Sequence, residues 1–393
     1  MRGVNLVKFT VNLEDLKRVI NAVIASFDAN IDDNLKQVIF NVNKDEQYVD
    51  VAAYSYLLSF YTRIEADVQE GGLFTVGLKL SEIVNVCASH GSNTHIDSVT
   101  FTEEEKFVFV EALEYGKEGS LLAEYSESLK WALPKTQSKR VLKYLNFSLL
   151  DADMGDDVAE LDINNLKFIL DTFTPLLVKG ELKQPSAYLY FSKDYIYCVN
   201  GSNVSYCDNM FSNLAGMNLN SKVLSYLRVL LNESNDMSSL YLFYVSDKII
   251  IKFDDYIIVY NLAKMPQFNI DRYLEDRQDA IVISMEMLLN IINRSTISDN
   301  SIVFDIKEDN LNIRNKKVSS LSTVKFNTNL PILKKTCDDK TFIVDLDVLS
   351  KAILQKKGKY AIIYMYQVNG VNRVKITDEA KTWFSDIPVE IER

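Results

Sequence analysis

The sequence predicts an α+β chain of three repeated domains. Each holds two strand–helix–strand–strand–strand units, with two helices against one side of curved antiparallel sheets. Three observations carry this expectation. A short strand running into a capped amphipathic helix recurs near residues 9, 159, 281 and 342. Alternating apolar runs separated by turn residues fill the space between the helices. Polar stretches at 151–157 (DADMGDD) and 273–279 (YLEDRQD) divide the 393 residues into 1–150, 151–276 and 277–393.

The first unit reads FTVNLEDLKRVI at 9–20. Its β-branched and aromatic start predicts a strand. Asn12 offers a side-chain oxygen to the first free N–H groups of a helix. Leu13, Leu16, Ile20, Val23, Ile24 and Phe27 recur at helical spacing and predict one buried face. The pattern returns in AELDINNLKFIL at 159–170, with Asp162 as cap and Ile163, Leu166, Leu170 and Phe173 as the stripe. It returns in IVISMEMLLNII at 281–292, with Ser284 as cap and Met285, Leu288 and Ile292 as the stripe. It returns again in FIVDLDVLSKAI at 342–353, with Asp345 as cap and Leu346, Leu349 and Ile353 as the stripe. Looser copies at 74–87 (FTVGLKLSEIVNVC) and 214–230 (LAGMNLNSKVLSYLRVL) bring each third to two helices. Runs such as QVIFNV, YIYCVNG, KIIIKFD and YAIIYMYQ supply the strands. With helices on one side, the other sheet face is expected in water.

Composition narrows the function classes. A hydrophobic content of 47% with 25% charged residues fits globular domains. No apolar run is long enough to cross a bilayer, and the N-terminus MRGVNLVKFTV lacks the pattern of a secretory signal, so a cytoplasmic protein is expected. Cys87, Cys198, Cys207 and Cys337 form no CxxC, and His90 and His95 have no third ligand nearby, so neither metal nor cofactor is expected. There is no GxSxG, HExxH or strand-borne GxGxxG. Residues 72–79 (GLFTVGLK) miss the phosphate loop, because Leu78 intrudes before Lys79 and Leu80 has no hydroxyl. They read as a strand-to-helix junction, and the chain is expected not to be an enzyme. The net charge of −11 argues against coating DNA by bulk charge, but leaves room for one basic face.

Over essentially the whole chain these units resemble the bacterial-type sliding clamp, the β subunit of the replicative DNA polymerase. KFTVNLEDLKRVINAV (8–23) is similar to the family's opening strand and helix. Residues 49–87 follow its first-domain pattern, with Tyr54-Ser55-Tyr56 in place of Thr-Asp-Leu. VNGSNVSY (199–206) resembles the Thr-Asp-Gly-His-Arg-Leu loop, retaining only Asn200-Gly201-Ser202-Asn203 of it. NLAKMPQFNIDRYL (261–274) resembles the Phe-Pro-Asp-Tyr stretch, and DIPVEIER (386–393) the Met-Pro-Met-Arg-Leu end. These departures point to a divergent, phage-encoded copy.

The resemblance implies the DNA-clamp fold and a head-to-tail homodimeric ring around double-stranded DNA. It also implies DNA polymerase and clamp loader as partners, and no membrane. Arg18 lies about half a turn from Leu16 and Ile20, hence away from the core. With Lys17, Lys167, Lys222, Arg228, Arg294, Lys351, Lys356 and Lys357 it is expected to face DNA. The family's peptide pocket would use Gly201, Val204, Ile387, Pro388 and Val389, and the subunit contact Leu121, Leu122 and Ile297. Two alternatives stand beside this reading. Acidic clusters such as NIDDNLK suit a metal-dependent hydrolase, and a clamp-fold interaction protein need not encircle DNA. Charge reversal of Arg18, Lys222 and Lys351 separates that last case from a working clamp.

Overall fold

The structure, a computed structural model, describes residues 6–27, 35–55, 57–89, 93–136, 139–151, 159–179, 183–233, 240–245, 248–253, 255–262, 265–295, 300–316, 326–353, 356 and 358–391. Its helices are α1 (Leu13–Ser26), α2 (Lys79–Ala88), α3 (Lys139–Leu142), α4 (Ile163–Phe173), α5 (Ser221–Glu233), α6 (Asp271–Leu274), α7 (Met285–Ser295) and α8 (Leu346–Ile353). Every longer helix directly follows a strand or strand end, as the repeat predicts.

The caps work as expected where their bonds are seen. Asn12 Oδ1 accepts from the Glu14 and Asp15 N–H groups at 2.8 and 3.3 Å. Ser284 Oγ accepts from Met287 N at 3.3 Å, and Asp345 Oδ1 from Val348 N at 3.0 Å. Asn220 Oδ1 does the same for Lys222 N at 3.0 Å, so even the looser copy is capped. Each stripe meets its core: Leu166, Leu170 and Phe173, Met285, Leu288 and Ile292, and Leu346, Leu349 and Ile353 are all buried. The α1 face is rotated slightly from the prediction. Val19 and Ala22 are buried, whereas Ile24 and Phe27 are only half-buried, and Ile163 likewise opens α4 half-buried.

The chain forms two compact units, residues 1–163 with 226–262 and residues 164–225 with 263–393. In the first, one sheet runs in the order 126–134, 107–116, 98–103, 8–12, 67–70. A second, eight-stranded sheet runs 159–161, 240–245, 248–253, 256–261, 58–65, 48–54, 37–43, 72–77. Helices α1 and α2 pack on each other, and Phe9, Phe40, Phe74 and Phe101 stack between the sheets with centroids 4.9 to 6.4 Å apart. In the second unit, a nine-stranded sheet runs 218–220, 188–191, 195–200, 203–208, 384–388, 371–378, 360–368, 280–284, 334–335. A five-stranded sheet runs 327–331, 310–315, 301–307, 340–345, 390–391. Helices α7 and α8 pack together over a core of Leu288, Phe304, Phe342, Leu349 and Ile363.

Strand pairing explains why these units cut across the thirds. Residues 256–260 pair antiparallel with 58–62, and 204–206 with 384–386, so each large sheet joins strands from two thirds of the chain. The expected wet outer faces are not wet at these joints. In the first unit Leu145, Phe147, Leu149 and Leu150 cover Ala52, Tyr61, Ile250, Ile257 and Val259. In the second unit Met265, Ile270, Tyr273 and Leu274 cover Tyr188, Tyr190, Tyr197, Val204 and Tyr206. The reason is composition: the outward positions of these strands are themselves apolar or aromatic and need cover.

Candidate functional site

The second unit places a narrow groove where the tail strand 384–388 meets the hairpin 195–208 and α8. Its apolar walls are Leu176, Cys198, Val348, Ala352 and Ile387. Asn200, Asn203, Ser205, Asp347 and Lys351 supply its polar groups, around a cavity of about 60 Å³. The tail strand is clamped on both edges. Val204 to Tyr206 pair with Asp386 to Phe384 on one side, and Arg373 to Ile376 with Pro388 to Ser385 on the other. Ser205 Oγ and Ser385 Oγ, both buried, lie 3.2 Å apart across the first joint. Asn200 Nδ2 donates to the Leu176 carbonyl at 3.2 Å, tying the hairpin to the groove wall. At the rim Lys351 Nζ pairs with Asp347 at 2.7 Å.

Charged groups lie buried on the opposite face of this joint. Arg373 donates to the Asp386 carboxylate, and also to the Ser202 carbonyl at 2.6 Å. Its guanidinium sits 4.9 Å from the Tyr273 ring. Lys375 Nζ donates to the Glu275 carbonyl at 3.1 Å and lies 5.6 to 5.9 Å from the rings of Phe384, Tyr206 and Tyr366. Burial lowers its ammonium from the ordinary 10.5 to about 8. Burial also lifts the Tyr206 hydroxyl, which donates to the Tyr273 carbonyl at 3.0 Å.

Of the expected pocket residues, Ile387 lines the groove. Gly201 sits at φ +60° in the adjoining turn, a left-handed conformation that glycine adopts without strain. Pro388 is half-buried and pairs with Arg373. Val204 does not line the groove. Strand alternation turns it to the opposite face, where it is buried among Tyr188, Tyr190 and Tyr206, and Ser205 takes the groove side. Val389 faces a different cavity, because the tail breaks between 384–388 and 390–391. The sequence reading missed Leu176, Cys198, Val348 and the groove role of Lys351. Only the pairing of distant strands brings them together.

The basic residues distribute as follows. Lys17 and Arg18 are exposed on α1, where Arg18 pairs with Asp15 at 3.2 Å. Lys167 is half-buried on α4, and Lys222 and Arg228 are half-buried on α5. Burial lowers the Lys222 ammonium below its usual range. Arg294 and Lys351 are exposed in the last turns of α7 and α8. Lys356 is a correction. It is 3% exposed, donates to the Trp383 carbonyl at 3.0 Å, and its Nζ lies 3.5 Å from the centre of the Trp383 ring. A buried ammonium spent on a carbonyl and a ring is not available to phosphates. Lys357 lies outside the described residues, as do Ile297, His90 and most of the 151–157 stretch. Leu121 and Leu122 are exposed in the turn between strands 107–116 and 126–134. Among the described residues no three His, Cys, Asp or Glu side chains gather to hold a metal ion, and no helix is long and apolar enough to cross a membrane.

No protein-family model matches the chain, and no curated protein matches it. Solved structures do. The DNA polymerase III β subunit from Thermotoga maritima agrees with a TM-score of 0.78 at 11% identity, covering 98% of this chain and 100% of its own. DNA polymerase III subunit β from Borrelia burgdorferi, in complex with a natural product, gives 0.77 at 15% identity, with 98% of both chains covered. A sliding clamp from Bartonella birtlesii bound to griselimycin gives 0.78 at 13% identity, covering 98% and 99%. At such identity the agreement rests on backbone geometry rather than on shared residues. From end to end, this chain has the fold of the bacterial DNA polymerase III β sliding clamps.

Proposed function

We propose that this chain is a sliding clamp: a non-enzymatic processivity factor that closes as a homodimeric ring around duplex DNA and tethers a replicative DNA polymerase. The observation that carries this reading is the whole-length agreement, 98% of this chain against 98 to 100% of the clamps. A partial match would leave a shared module. Agreement over the whole length supports a complete clamp subunit rather than a shared module. Three clamp domains, 1–150, 151–276 and 277–393, would each supply two helices to the bore.

Lys17, Arg18, Lys167, Lys222, Arg228, Arg294 and Lys351 would face phosphates there. Topological capture needs only a modestly basic bore, which fits a chain of net charge −11. The groove at Ile387 would take a short segment of the polymerase or of the clamp loader. Leu121 and Leu122 would join the partner subunit. The site of action would be the cytoplasm of a bacterial cell or of a phage-infected host.

The test combines mass and topology. Light scattering across a dilution series at moderate salt should return twice the chain mass. Protein loaded on nicked circular DNA by a matching clamp loader should stay bound in high salt and be lost once the circle is linearised. Equal loss from circles and linear DNA would reject encirclement.

A further inference from the structure

The six longer helices, α1, α2, α4, α5, α7 and α8, carry almost no net charge. In five of them Lys and Arg equal Asp and Glu in number, and α5 has one cation in excess. Four of the six also open with a carboxylate in the first turn, on α1 (Glu14 and Asp15), α2 (Glu82), α7 (Glu286) and α8 (Asp347). That position favours an acid because the helix N-terminus is partly positive. It has a second consequence for any anion that approaches the helices from outside.

Arg18 Nη2 lies 3.2 Å from Asp15, and Lys351 Nζ lies 2.7 Å from Asp347, with side chains 45 to 72% exposed. Such exposed pairs add little to stability. Their effect on a third charge is larger. A phosphate that reaches Arg18 meets the Asp15 carboxylate at nearly the same distance, so attraction and repulsion largely cancel. Affinity for a duplex grows with the number of phosphates neutralised, and a cation matched by an acid neutralises almost none. A separate feature points the same way. Val86 on α2, Val229 on α5 and Met287 on α7 are 55, 39 and 43% exposed, and none of them can bond a phosphate.

We propose that these helices grip duplex DNA too weakly to hold it without enclosure, and that Asp15 and Glu286 set this limit. The inference rests on the clamp reading and deepens it, since it leaves retention to the closed ring rather than to charge. Asp15 and Glu286 stand for the two compact units, one on α1 and one on α7. Asp347 is set aside because it also lines the groove at Ile387.

The test uses the full chain and a fluorescein-labelled duplex of about 30 base pairs, read by anisotropy between about 50 and 200 mM KCl. The parent should bind weakly, with log affinity falling by less than about two units per tenfold rise in salt. Asp15→Asn with Glu286→Gln should raise affinity at least about tenfold at the low-salt end and steepen that slope by about two units. The thermal midpoint should stay near that of the parent, because both replacements keep the side-chain shape. Glu104→Gln with Glu105→Gln changes the net charge equally, on an exposed turn away from the helices, and should leave affinity unchanged. Tight parent binding with a steep salt slope overturns the proposal. So does a double variant that binds no better than the parent, or an equal gain in the turn variant, which would make net charge the cause. The clamp reading fails by a different result: equal loss of the loaded parent from circular and linear DNA, whatever this titration returns.

Discussion

Replacing Lys375 with methionine should stabilise the second unit, against the intuition that a buried, hydrogen-bonded lysine holds a structure together. The side chain is 3% exposed, and its ammonium is lowered from 10.5 to about 8, chiefly by burial and next by the nearby Arg277 charge. At pH 7 it is charged in both folded and unfolded chains, so that whole gap opposes folding, about 3 kcal/mol at 1.36 kcal/mol per tenfold change in proton affinity. Methionine gives up the hydrogen bond to the Glu275 carbonyl, about 1 kcal/mol. The rings of Phe384, Tyr206 and Tyr366 lie near the ~6 Å limit of useful cation–π contact, and a thioether keeps comparable ring contacts, so this part roughly cancels. The net expectation is about 2 kcal/mol of added stability at pH 7. Its pH dependence is fixed in sign. Above pH 8 the folded lysine loses its proton before the unfolded one, so the parent gains stability as pH rises towards 10.5. By about pH 9.5 only some 1.4 kcal/mol of the burial cost remains, and the variant's advantage falls to a few tenths of a kcal/mol. Urea unfolding at both pH values tests this, with Trp131→Phe leaving Trp383 as the reporter in this unit. A Lys375→Met chain that is less stable at pH 7, by the same amount at pH 9.5, would refute the reasoning. It would mean that the aromatic box holds the ammonium more strongly than burial opposes it.

Three further outcomes are expected. Asn12→Ala should cost about 1 kcal/mol in chemical denaturation, because Asn12 Oδ1 satisfies two N–H groups at the start of α1. Phe9→Ala should cost roughly 3–5 kcal/mol, since Phe9 is fully buried and stacked 4.9 Å from Phe101 with Phe40 and Phe74 around it. Calorimetry should show that loss in the transition of the first unit. Arg18→Glu with Arg294→Glu should leave the thermal midpoint within about 2 °C, because both side chains are exposed, and should sharply reduce retention on circular DNA. Unchanged retention would remove these two residues from the DNA-facing set.

The helices were legible in the sequence because their signals are local. Asn12, Ser284 and Asp345 cap within their own helices, and the stripes behind them bury as their spacing requires. The 72–79 stretch likewise resolves as strand 72–77 followed by α2, the junction expected from its lack of phosphate-loop chemistry. The groove was legible only in outline. Of the residues named through the resemblance, Ile387 lies at the groove and Gly201 in the adjoining turn, while Val204 faces the other side of its strand, because neighbouring strand residues point to opposite faces. Lys356 was misjudged for a related reason. A lysine after a helix reads as solvated until Trp383, 27 residues further on, is seen to receive it.

By itself the sequence determined the helical stripes, their caps, the alternation of the strands and hence the repeat, because these depend on residues within a few positions of one another. The tertiary structure alone decided which strands became neighbours. Antiparallel pairing of 204–206 with 384–386 closes a separation of 180 residues between Ser205 and Ser385. That one joint brings Leu176, Val348 and Ile387 to a common groove, and it buries Arg373, Lys375 and Asp386 on the opposite face. No periodicity encodes such a meeting, since it depends on two distant apolar edges satisfying each other's backbone groups away from water.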